Sequence, residues 1–142
     1  MNSQLVENMI LGCGMGHLGL SIGSLYVPKA LRWGIHLATL QPLIRQMFWT
    51  YAGYILVINI SFGIISLFGA NELLNGSFLA KSITLLIGIY WLARVAIQFL
   101  YFDRSHAPKG FIFLLGEAIL VFLFVVFAAT YLTAFLMNMS WI

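Results

Sequence analysis

Residues 111–137 read FIFLLGEAILVFLFVVFAATYLTAFLM, with Glu117 the only charge among them. Crossing a hydrocarbon core about 30 Å thick takes about 20 apolar residues at a helical rise of about 1.5 Å each. The stretch meets that length. Its apolar residues also run on without the alternation seen in the roughly 10-residue strands of a membrane barrel. It therefore reads as a bilayer-spanning helix, and it sets the class of the chain.

Before it, DRSHAPKG at 103–110 is the most polar segment and reads as a loop. Before that loop lies a third apolar stretch, 78–102, preceded by a turn marked by Asn71, Asn75 and Gly76. The second stretch, 43–68, follows Pro42, which suits the first turn of a helix, and it begins with Arg45, Gln46 and Trp49 at headgroup depth. The first stretch, 5–27, meets Pro28, which either stops it or opens a new helix. Residues 29–41 place Lys29, Arg32, His36 and Thr39 on one helical face, with Leu31, Ile35, Leu37 and Ala38 turned largely away. That is the pattern of a short amphipathic helix lying in the interface. The expected fold is an all-α integral membrane protein: four transmembrane helices in an antiparallel bundle, with this interfacial segment between the first and second spans.

Composition agrees. In 142 residues, 62% are hydrophobic and 8% charged, and the mean hydropathy is +1.00, outside the range of a soluble domain. Four spans use up the length, so a single domain is expected. Cys13 is the only cysteine, which excludes an internal disulfide or a thiolate-rich metal site. A pI of about 9.3 does not imply nucleic-acid binding, because the seven basic residues are scattered and form no stripe along a phosphate backbone. The first stretch lacks a basic leading region and carries Glu7, so it is expected to be retained rather than cleaved as a signal peptide.

Small residues crowd the first span. Gly12-x-x-x-Gly16 and Gly19-x-x-x-Gly23 have the spacing that lets helices approach closely, so Gly12, Gly16, Gly19 and Gly23 are expected at helix contacts. The connections on one side carry Lys29, Arg32, Arg45, Arg104 and Lys109 against the single acid Asp103; the other side carries Glu7, Glu72 and Lys81. By the positive-inside rule, the basic side is cytoplasmic and both termini lie on the non-cytoplasmic side of an inner or cytoplasmic membrane.

Arg94 stands about 12 Å from the cytoplasmic end of its span and Glu117 about 10 Å into the next, so the pair can meet as an intramembrane salt bridge. His17, Tyr51 and Tyr54 fall in the same slab, and Trp91 and Gln98 share a face with Arg94. Ionisable groups inside a membrane are normally paired, snorkelling or functional. The cluster is thus either a bridge that fixes helix register or a site for a ligand or a proton. Glu117 either pairs with Arg94 or carries a proton. His17 is a packed histidine, a member of that site, or an axial ligand to haem or chlorophyll, with Gly14 and Gly16 leaving room for a flat ring. A metal site has no support, since no His-x-x-x-His, Glu-x-x-His or Cys/His cluster occurs. No catalytic residues are recognisable, and the sequence leans away from an enzyme.

The size and four-span plan resemble those of small multidrug exporters, membrane-associated glutathione-metabolising enzymes and small subunits of respiratory or photosynthetic complexes. No residue is carried over. Glu7 is too near the end of its span to stand for the exporters' glutamate, and a Glu-Arg pair followed by an asparagine on one helix is absent. The leading expectation is an accessory or structural subunit of a larger membrane complex, surrounded by lipid and contacting other membrane subunits or further copies of itself. Phe111, Phe113, Phe122, Phe124, Phe127 and Phe135 would offer a surface to lipid or partners. The alternative is a quinone- or lipid-binding protein, or an enzyme acting on a lipophilic substrate, with Arg94 holding the head group. A proton-coupled transporter is weakened by a single deep acid and no internal symmetry.

Overall fold

The structure, a computed structural model, describes residues 2–102 and 110–140; the expected polar loop with Asp103, Arg104, His106 and Lys109 lies outside the described residues. Helix α1 (Ser3–Ser24) begins where the Asn2 side chain accepts the Gln4 N–H, satisfying one of the free donors of the first turn. Pro28 opens a new helix, α2 (Val27–Ala30), and α3 (Trp33–His36) follows. The expected helical connection is therefore present as two single turns. They are divided at Arg32, whose left-handed backbone (φ 50°) prevents one continuous face from running through Lys29, Arg32, His36 and Thr39.

Pro42 occupies the first turn of α4 (Pro42–Phe68), where its missing N–H costs nothing. A 3-10 turn at Glu72–Leu74 and Gly76, at φ 71°, reverse the chain. The Ser77 hydroxyl then caps α5 (Phe78–Leu100) by accepting the Ala80 N–H at 3.1 Å. Helix α6 (Phe111–Asn138) completes an antiparallel bundle of four helices long and apolar enough to cross a membrane.

Helix α5 packs along α6, α1 along α4, and α1 also against α6, whereas α4 and α5 barely touch. The core lies in the half of the bundle nearer the termini. Val6, Ile10, Cys13 and His17 of α1 meet Phe62 and Ser66 of α4, Thr84, Ile87 and Trp91 of α5, and Phe124, Phe127 and Tyr131 of α6. The other half is uncovered. From Pro42 to Ile58 every residue of α4 is exposed except Ala52 and Leu56, which are half-buried. Hydrophobic exposure of this kind carries no penalty in a bilayer, where lipid tails solvate leucine as well as another helix does.

Two sequence expectations are corrected here. Phe124 and Phe127 belong to the core rather than to a lipid or partner surface, and Phe135 is half-buried, while Phe111, Phe113 and Phe122 are exposed. Of the four predicted packing glycines, only Gly16 meets a neighbour: a Cβ there would stand 2.9 Å from the Phe127 ring, whereas Gly12, Gly19 and Gly23 face open space. Backbones approach closely where α1 meets α4, with a Cβ on Gly63 falling 3.2 Å from the Gly14 carbonyl, and where α5 meets α6, with a Cβ on Gly88 falling 3.2 Å from the Leu132 nitrogen. A helix as rich in glycine as α1 presents the i, i+4 spacing on several faces, and only one of them meets a partner.

Candidate functional site

His17 is fully buried on α1. Its Nε2 lies 2.9 Å from the Trp91 indole N–H, and its Nδ1 lies 2.6 Å from the Cys13 carbonyl oxygen. Indole can only donate, so Nε2 accepts and the ring proton sits on Nδ1, donated to the carbonyl one turn back. Both ring nitrogens are thereby engaged in a neutral imidazole. The ring stacks on Phe127 at 4.1 Å between centroids and meets Phe62, Trp91 and Tyr131 edge-on. These residues do not fit a haem or chlorophyll: the lone pair a metal would need is taken by Trp91, and one ring face is covered.

Two further polar contacts tie the same half of the bundle together. Ser66 of α4 donates to the Phe62 carbonyl and accepts the phenolic O–H of Tyr131 on α6. Asn138, at the end of α6, donates to the Leu73 carbonyl at 2.7 Å and accepts the Gly76 N–H at 2.9 Å, fastening the α4–α5 turn. Sequence reasoning missed Ser66, Tyr131 and Asn138. Asn138 could have been found, because an asparagine ending the last span comes level with the Asn71–Gly76 turn.

In the other half the predicted cluster divides. Among the described residues no ion pair forms, that between Arg94 and Glu117 included. Gln98 Nε2 donates to Glu117 Oε1 at 2.9 Å. Counting depth from the loop matched the two charges only to about one helical turn, and Gln98, four residues nearer the surface than Arg94, is the side chain that reaches the carboxylate. The Arg94 guanidinium lies instead 5.1 Å from the ring centroids of both Phe102 and Phe124, in cation–π range. It donates no hydrogen bond to a described residue, and its buried Nη1 is without a partner. Trp91 is 2% exposed and committed to His17, while Tyr51 and Tyr54 are 57% and 61% exposed on the uncovered part of α4. The expected convergence of His17, Tyr51, Tyr54, Trp91, Arg94, Gln98 and Glu117 is therefore replaced by a closed His17–Trp91 core, a Gln98–Glu117 contact and a separate Arg94.

Arg94 borders a groove of about 420 Å³ where α4 and α5 stand apart, lined by Ile55, Leu86, Ile89, Tyr90, Ala93, Arg94 and Ile97. Apart from Tyr90 and Arg94 the lining is apolar. Among the described residues no group of three His, Cys, Asp or Glu side chains could hold a metal ion. Compared with known proteins, the chain matches no family model, no curated protein and no solved structure.

Proposed function

We propose that this four-span membrane protein is an accessory or structural subunit of a larger membrane assembly, set with both termini on the non-cytoplasmic side of an inner or cytoplasmic membrane. The observation that carries the reading is the uneven packing of α4. Its second half is gripped by the core, while from Pro42 to Ile58 only Ala52 and Leu56 are half-buried and every other residue is exposed. Helices associate in membranes through close packing and interhelical hydrogen bonds, and from its own chain this half of the span gains little beyond the edge contacts of Trp33 with Phe48 and Trp49. A neighbouring subunit's helix laid along it supplies both. Thr50, Tyr51 and Tyr54, exposed on that half, offer hydroxyl groups to such a neighbour. The orientation rests on Lys29, Arg32 and Arg45, all exposed on the connection side.

Extraction from native membranes in a mild detergent, with a photo-crosslinker at Met47 or Tyr54, tests the assignment. Stoichiometric copurifying chains and crosslinks at those positions are expected. A monodisperse single chain that crosslinks to nothing at either position overturns it.

A further inference from the structure

We infer that the groove between α4 and α5 holds an acyl chain of an anionic bilayer phospholipid whose phosphate is bound by Arg94. The stripe Leu86, Ile89, Ala93, Ile97 runs along α5 for roughly 16 Å at about 1.5 Å per residue, about the depth of one leaflet of a 30 Å hydrocarbon core. Ile55 of α4 forms the opposite wall, and Ala93 and Ile97, both exposed, leave the groove open sideways to lipid. Arg94 stands about 9 Å before the end of α5, yet its guanidinium reaches Phe102, beyond the last residue of that helix. The same guanidinium is equally close to Phe124 of the core, so it stands between the core and the end of the helix.

The Arg94 guanidinium donates no hydrogen bond to any described residue; its Nη1 is sealed against the bundle, so an anionic acceptor arriving from the groove would pair with its remaining nitrogens. The nearby carboxylate of Glu117 already takes the Gln98 amide. A phosphodiester matches guanidinium in charge and in its paired acceptor oxygens. Its chain enters the groove from the same leaflet. A zwitterionic lipid brings its own ammonium to the site and binds less well.

The full chain in detergent, offered equimolar phosphatidylglycerol and phosphatidylcholine and read by native mass spectrometry, tests this. Wild type is expected to retain phosphatidylglycerol about tenfold over phosphatidylcholine, the size of one charge-assisted hydrogen bond. Arg94→Gln should erase that preference. Ala93→Trp, which fills the groove and leaves Arg94 in place, should lower retention of both lipids. Lys81→Gln, at the opposite end of α5, should leave the preference intact. Equal retention of the two lipids by wild type, an unchanged preference in Arg94→Gln, or unchanged retention in Ala93→Trp overturns the inference. So does a quinone or a free fatty acid held in the phospholipid's place. If Arg94→Gln does not fold, the wild-type ratio and the groove-filling variant decide.

Discussion

The indole N–H of Trp91 donates to Nε2 of His17 across 2.9 Å, joining α5 to α1 at the buried centre of the bundle. Trp91→Phe keeps an aromatic ring there and removes the donor, leaving the imidazole lone pair unpaired among Phe62, Phe127 and Tyr131. A loss of about 1–3 kcal/mol is expected, the cost of one unsatisfied buried acceptor. Unfolding in mixed micelles followed by circular dichroism measures it. Pairing Trp91→Phe with His17→Leu should cost less than the two single changes added together, since the double variant leaves no orphaned lone pair.

Gly16 and Gly12 separate a packed glycine from an open one on the same helix. Gly16→Ala drives a methyl group to 2.9 Å from the Phe127 ring and is expected to destabilise by about 1–3 kcal/mol. Gly12→Ala meets nothing and should be neutral or stabilising by up to about 1 kcal/mol through helix propensity. The same unfolding measurement ranks them, and an equal response from both would contradict the assigned face of α1.

Ser66 and Tyr131 join α4 to α6. A double-mutant cycle through Ser66→Ala and Tyr131→Phe should return a coupling of about 0.6 kcal/mol and no more than about 1.7, the range found for hydrogen bonds between membrane helices.

Asn138 holds the α4–α5 turn by two hydrogen bonds. Asn138→Leu strands the Leu73 carbonyl and the Gly76 N–H together, and the Glu72–Gly76 segment should become cleavable by an added protease at least about fivefold faster, equivalent to about 1 kcal/mol of lost protection. Unchanged cleavage would show that the turn is held by other contacts.

Arg94 and Glu117 are expected to act independently. With no ion pair between them, Arg94→Gln and Glu117→Gln should combine additively within about 0.5 kcal/mol in the unfolding assay. A coupling of several kcal/mol would restore the bridge that depth counting first suggested.

Span positions were legible because length and hydropathy are one-dimensional properties. The second and third spans begin within one residue of where Pro42 and the Asn71–Gly76 turn placed them, and the fourth begins at Phe111 as expected. Azimuth was not legible. Nor was depth legible to better than a turn: Arg94 and Gln98 share a face of α5, and axial register decides which of them reaches Glu117, while a uniformly apolar span such as α6 carries almost no amphipathic signal to set its rotation. The same blindness placed Phe124 and Phe127 on the outer surface and credited Gly12, Gly19 and Gly23 with contacts that Gly14, Gly63 and Gly88 make. His17 was recognised as polar and deep, and its bonding to another helix was one of the readings kept open; its partner, Trp91, could not be named, because a tryptophan in a span is as ordinary as any other apolar residue until its one N–H finds an acceptor.

Of the polar clamps, those at Ser66 and Asn138 stand on the terminal side of the bundle and that at His17 near its centre, and none lies at the opposite end. The molecule is thus a peg fixed at one end. Helix α4 runs unbroken from the clamped residues Phe62 and Ser66 into the exposed stretch below Asn59, so the grip on one end also sets the direction of the other. A substitution confined to the exposed positions of that stretch therefore leaves the core contacts in place.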